Sequence, residues 1–152
     1  MLKQKLQENL KQSMLAKDAV TTSTLRMLIS AIGYYEIQKG GAGYEATDED
    51  VLSVIGREVK QRNDAIEQFM TAGREELAAK ELKEKAILEV YLPEQMTEED
   101  IRRIVADAVS KTGASLPQDM GKVMGVLMPQ VKGKADGGLV SKIVKEALSP
   151  TP

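Results

Sequence analysis

The sequence contains no cysteine, no histidine and no tryptophan. Without cysteine there is no disulfide framework, no thiolate nucleophile and no thiolate metal site. Without histidine the commonest general base, the usual catalytic triads and the commonest metal ligand are missing. Aromatic residues make up 3% of the chain and are confined to Tyr34, Tyr35, Tyr44, Tyr91 and Phe69. That scarcity argues against base stacking as the main way of holding a single strand. No cofactor is expected. Long apolar runs are also missing. The mostly apolar stretch Val123–Met128 is far too short to cross a bilayer, so no membrane partner is expected. Met1–Lys11 mixes Lys, Gln and Glu with spaced Leu, and no apolar leader core follows. The default expectation is therefore a cytosolic, that is cytoplasmic, location.

What is present is ordinary globular material. The 152 residues carry 21 basic and 23 acidic side chains, a net charge of −2. Apolar residues at 42% and charged residues at 29% suit a soluble chain that buries a core. The length fits one domain, or one domain with a small satellite.

Apolar residues recur with helical spacing nearly throughout, and no alternating stretch is long enough for a strand. The expected fold class is all-α, with a helical N-terminal domain of about four helices over residues 1–93 and a small three-helix domain over 97–148. Leu2, Leu6, Leu10 and Met14 make one stripe. Asp18 caps a second helix with Leu25, Leu28, Ile29, Ile32 and Tyr35 inward. Lys39–Gly43 reads as a flexible loop. Thr47 with Asp50, and Thr97 with Asp100, have capping-box spacing. A third helix over Asp48–Thr71 ends at Gly73, and a fourth runs to Val90 before Leu92-Pro93 stops it. Gly113 closes a fifth helix, Pro117 opens a sixth that ends before Pro129, and Asp136 leads into a seventh. Ser149–Pro152 are expected to be disordered.

Charge follows the same division. Residues 113–152 hold five lysines (Lys122, Lys132, Lys134, Lys142 and Lys145) against three acids, a net of +2. Residues 1–96 carry 13 basic and 16 acidic groups, a net of −3.

The segment Gly121–Gly138 is the most unusual, with five glycines in eighteen residues. Gly121 and Gly125 share a helix face, which lets either a neighbouring helix or a polyanion come close. Lys122 flanks that face. Lys132-Gly133-Lys134-Ala135-Asp136-Gly137-Gly138 precedes a helix N-terminus, where free amides favour an anion. The other reading is that Asp136 caps those amides and the glycines only permit the turn. The segment is not a nucleotide P-loop, because its order of Gly, Lys and Ser/Thr is wrong and no strand precedes it. On the fourth helix, Glu75, Glu76, Glu81, Glu84 and Glu89 raise acid–base or metal chemistry. A structural ion pair of Arg57 or Arg62 with Glu81 or Glu84 is the favoured reading. As a partly exposed pair it would contribute about 0–1 kcal/mol.

Three consecutive pieces carry a family resemblance: Gly121-Lys122-Val123-Met124-Gly125, Met128-Pro129, and Val131-Lys132-Gly133-Lys134-Ala135-Asp136-Gly137. Thr24–Ile32, Gly73–Ala78 with Lys80, Glu81 and Glu84, and Tyr91–Met96 agree with them. Together they resemble the GatB/YqeY family over nearly the whole chain. The resemblance implies a helical domain followed by a small three-helix domain, similar to the tail of the GatB component of glutamine-dependent aspartyl/glutamyl-tRNA amidotransferase. There the tail touches the body of the tRNA, and the kinase and amidotransferase chemistry lies in parts this chain does not contain. The residues expected to meet nucleic acid are Lys122, Lys132, Lys134 and Lys142, with Gly121, Gly125, Gly133 and Gly137 as close-approach positions. No catalytic residue and no metal ligand is expected.

Three functions compete. The first is a non-catalytic module that binds the outside of folded RNA, with tRNA as the expected partner, through lysine–phosphate contacts and shape. The second is an interaction module that docks a partner helix or an enzyme subunit. The third is a carbon–nitrogen ligase with glutamine as amido-N-donor, which the residues do not support.

Overall fold

The computed structural model describes residues 1–149. Among them the chain forms seven α-helices, one 3-10 turn and no strand. The expectation of terminal disorder falls, beyond Ser149, outside the described residues. The chain divides into one unit from Met1 to Leu92 and a second beginning at Pro93.

The first unit holds α1 (Leu2–Leu15), α2 (Ala19–Gly40), α3 (Asp48–Thr71) and α4 (Glu75–Glu89). Leu6, Leu25, Leu28, Ile32, Val51, Ile55 and Leu88 meet in its core. Leu2 and Leu10 of the α1 stripe pack against them, while Met14 is half exposed. Thr47 and Asp50 form the expected reciprocal capping box at the start of α3. The N-terminal chain is tied down at three places. The Leu2 amide donates to Asp48 Oδ1 at 2.9 Å, Lys3 pairs with Glu36 at 2.6 Å, and Asn9 donates to the Tyr91 hydroxyl at 2.7 Å across 82 residues.

Two of these helices end in the same way. After α3, Gly73 takes φ 72°, its amide bonds to Met70 O at 3.1 Å, and the Arg74 amide bonds to Phe69 O at 2.8 Å. This is the Schellman closure, in which a left-handed residue turns the chain, and glycine does so without a Cβ clash. After α1 the same two bonds recur, from Lys17 N to Met14 O at 3.2 Å and from Asp18 N to Ser13 O at 3.0 Å. Here the left-handed residue is Lys17, at φ 56°.

The loop expected over Lys39–Gly43 starts two residues later, because α2 continues through Lys39 and Gly40. The reason is Asp50. Its carboxylate accepts from Lys39 Nζ at 2.6 Å, Tyr44 Oη at 2.6 Å, Tyr35 Oη at 2.9 Å and the Thr47 amide at 3.0 Å. The glycine-rich loop is fastened, with the Tyr44 side chain lying against Gly40 so closely that a Cβ there would meet the Tyr44 Cβ at 2.7 Å.

The ion pair expected across α3 and α4 is Arg62 with Glu84, Nε to Oε2 at 3.3 Å. It is buried, not half exposed, so the small surface value does not apply to it. Arg62 Nη1 also meets Glu58 Oε2 at 3.0 Å, while Nε lacks the alignment of a hydrogen bond.

The second unit holds α5 (Glu98–Thr112), a 3-10 turn (Pro117–Asp119), α6 (Met120–Val131) and α7 (Gly137–Leu148). Ile101, Val105, Val123, Leu127, Val140, Ile143, Val144 and Leu148 form its core. Thr97 and Asp100 form the second capping box, and Gly113 closes α5. One expectation fails: α6 does not stop before Pro129 but continues to Val131. Proline removes the bond to the Gly125 carbonyl. Both residues lie on the exposed side of α6, where water can take that carbonyl. Val131, one turn beyond Leu127, is drawn into the core.

Candidate nucleic-acid interface

The basic residues singled out in the sequence lie on α6, α7 and the turn between them. Lys122 is in the first turn of α6, Lys132 and Lys134 are in the connecting turn, and Lys142 is on α7; all four are exposed. The α6 and α7 helices pack against each other through Val123, Leu127, Val140 and Val144. Lys122 lies ten residues before Lys132, roughly 15 Å along the helix axis. Lys122 is therefore well separated from Lys132 along α6, while Lys132 and Lys134 share the connecting turn.

The turn is held from the segment that precedes α5. The Met96 amide donates to Lys134 O at 2.8 Å, and Gln95 Nε2 donates to Gly133 O at 3.1 Å. Gly133 takes φ 76°, the left-handed region that a side chain enters only with strain. Two of the turn's carbonyls thus have partners, and the backbone that carries its two lysines is fixed.

The amides ahead of α7 are not an open anion cradle. Asp136 Oδ1 accepts from the Gly138 amide at 3.3 Å, so the capping reading holds. Contact with phosphate would rest on lysine side chains, not on helix amides. Gly137 is the first residue of α7 and touches nothing that a Cβ would displace.

The glycine pair on α6 also has a changed role. Among the described residues nothing lies within 4 Å of a Cβ built on Gly121 or Gly125, so no neighbouring helix packs on them there. They face outward beside exposed Met128 and Pro129.

Each of the three carboxylates beyond Gly113 is engaged. Asp119 accepts from the Ser115 and Leu116 amides, both at 3.2 Å. Those amides hold its carboxyl below the usual range, with Lys122 nearby adding a smaller attraction. Asp136 caps α7, and Glu146 meets Arg102 at 3.1 Å. Among the described residues no group of three or more His, Cys, Asp or Glu could hold a metal ion, and no helix is long and apolar enough to cross a membrane.

The Asp50 cluster was not foreseen. Its signal was the capping-box Asp itself. A cap leaves one carboxylate oxygen free, and Tyr35 and Lys39, four apart on α2, share a face that can reach it. The contacts of Lys39, then of Tyr44 and the Thr47 amide, hold the Asp50 carboxyl far below its ordinary range. Lys39, whose ammonium also sits 5.5 Å and 5.3 Å from the Tyr35 and Tyr44 ring centres, is raised in turn. With all its contacts made internally, this cluster is structural.

The family profile described as "Yqey-like protein" matches residues 3–148. The chain belongs to the YqeY-like family. Several curated YqeY-like relatives bear the name "Altered inheritance of mitochondria protein 41, mitochondrial". The one from Pyrenophora tritici-repentis is 31% identical over 147 residues, covering 95% of this chain and 79% of the relative. That from Kluyveromyces lactis is 36% identical over 126 residues, covering 78% and 66%. That from Clavispora lusitaniae is 37% identical over 87 residues, covering 57% and 49%. These names overturn the expectation of a cytosolic location. That expectation rested on a missing apolar leader, a feature of secretory signals. Mitochondrial leaders are amphipathic and basic, so the test was blind to them.

Proposed function

We propose that this YqeY-like chain is a non-catalytic module that contacts folded RNA, tRNA above all, through the edge of its second unit. The observation that carries the reading is the α6–α7 turn, with two exposed lysines on a backbone fixed by Gln95 and Met96. Lys122 and Lys142 extend the positive edge, and the bare Gly121/Gly125 face of α6 gives a ribose-phosphate chain room to approach. Affinity on this reading is modest, since the edge holds no arginine and base stacking has no aromatic side chain to use. The relatives' names support a mitochondrial location for this chain too, and organelle fractionation from its native cell tests that.

The experiment is a tRNA titration of Lys132→Ala/Lys134→Ala at two salt concentrations. Two lost phosphate contacts lower the salt slope by about 1.4–1.8. Unchanged affinity and slope with an intact fold would remove RNA from this turn. Docking of a partner helix or enzyme subunit on the exposed α6 face would then lead, and such docking responds little to salt.

A further inference from the structure

A concave place lies in the first unit, where α1 turns into α2. It is an open surface depression of about 500 Å³ lined by Met14, Lys17, Thr22, Ser23, Arg26 and Met27, together with Ala19, all exposed except Thr22. That volume lies within the range of small-molecule sites. No carboxylate lines it. Arg26 has five donors, and its one contact among the described residues is a soft acceptor, Met14 Sδ at 3.8 Å. Lys17 has no ion pair among the described residues, and the Ser23 hydroxyl has no hydrogen bond there. Asp18, beside them in sequence, is turned to its own helix: it accepts from the Thr21 amide at 3.1 Å and the Thr21 hydroxyl at 2.6 Å. Two cations without carboxylate partners thus share one concavity in a unit that is acidic overall. Met14 and Met27, each about half exposed, give it two apolar walls.

The backbone adds an independent observation. Lys17 is the one described non-glycine residue with positive φ. The equivalent closure after α3 uses Gly73. A lysine that lines the depression is thus held in a conformation that disfavours any Cβ.

We propose that this depression binds a phosphoryl group attached to a flat or apolar appendage, as in a nucleotide. Arg26 offers a planar fork that matches phosphoryl oxygens, Lys17 a point charge and Ser23 a hydroxyl donor. The thioethers of Met14 and Met27 are soft, adaptable surfaces for a ring. The phosphoryl group comes either from a free nucleotide or from a nucleic-acid backbone. The site is in a different unit from the lysine turn, and the proposal does not rest on that turn's role.

The test uses the full chain with ¹³C-methyl methionine, titrated with AMP, inorganic phosphate, adenosine and a short unstructured RNA at constant ionic strength. Shifts of the Met14 and Met27 methyls with AMP or phosphate support a free source. Shifts with RNA alone support a polymer source. In either case Arg26→Gln weakens binding by about tenfold or more, the loss of one charge-assisted contact. Lys17→Gly separates binding from folding: it raises the melting temperature by a few degrees while it weakens binding. Adenosine acting as strongly as AMP, no shift with any probe, or shifts that persist unchanged in both variants would each overturn the site.

Discussion

The two units bury different things. The first encloses Ser13, Thr24, Asp50, Arg62 and Glu84 alongside its aliphatic residues, whereas every buried residue described in the second is apolar. A buried charge accepts few positions, because a slipped partner leaves it uncompensated. The first unit's helices are therefore held in register by polar matches, at Asp50 between α2 and α3 and at Arg62–Glu84 between α3 and α4. The second is held by aliphatic volume, which tolerates small shifts more readily. Its charged groups, with no inward task, lie outside. The unit with the poorer polar interior is the one with a lysine edge available to a partner.

Four measurements break or sharpen that contrast. The largest effect is expected from Arg62→Met alone. Arg62→Met strands the buried Glu84 and costs about 3–5 kcal/mol in urea unfolding followed by circular dichroism, while Glu84→Leu costs less because Arg62 keeps its pair with Glu58. The double variant recovers most of the loss, because neither charge is then stranded across α3 and α4. If the double variant is as poor as Arg62→Met alone, register by charge is wrong. Next comes Leu127→Ala in the second unit, expected to cost about 2–5 kcal/mol by leaving a cavity. No second substitution of charge rescues it.

The third measurement uses pH. The Asp50 carboxyl is held far below its ordinary value of 3.8, chiefly by Lys39, and Lys39 is raised above its ordinary 10.5. A depressed acid stabilises above its unfolded value and loses that contribution as pH falls. A raised lysine stabilises below its unfolded value and loses that contribution as pH rises. The cluster therefore holds between about pH 4 and pH 10.5 and weakens outside that window. Amide exchange on α2 and α3 should accelerate below about pH 4, and Asp50→Asn should remove that acid dependence. The smallest effect is at Gly121 and Gly125. Alanine meets no obstacle at either site, so each substitution stabilises α6 by up to about 1 kcal/mol. If the outer face of α6 meets RNA, the same substitutions weaken tRNA binding.

The sequence made some of this legible. Thr47/Asp50 and Thr97/Asp100 marked two helix starts, because capping is local and its residues lie three apart. Gly73 and Gly113 marked two ends for the same reason. The extension of α6 past Pro129 was hidden, since it depends on Val131 reaching a core assembled from α5 and α7. The burial of Arg62 was hidden too: spacing can place it opposite Glu84 but does not report what covers the pair. At the candidate interface the lysines could be named, yet whether amides or Asp136 would face a phosphate was a competition that only the folded cap decided. Lys17 gave no signal, because a left-handed lysine is invisible without the backbone.

The hydrogen bond from Asn9 to Tyr91 has a consequence for synthesis. It joins the first helix to the end of the fourth, 82 residues later. Helices form from local contacts in microseconds, but closing so long a loop comes late. On the ribosome, α1 emerges well before Tyr91, so this tie is made late. Helices α2 and α3 supply most of what covers the Leu2/Leu6/Leu10 stripe, and only the Asn9 side waits for Tyr91 to leave the exit tunnel. The nascent chain therefore carries α1 without this last tie for several seconds at ordinary elongation rates. During that interval the Asn9 side of α1 is open to any chaperone or neighbouring chain that reaches it.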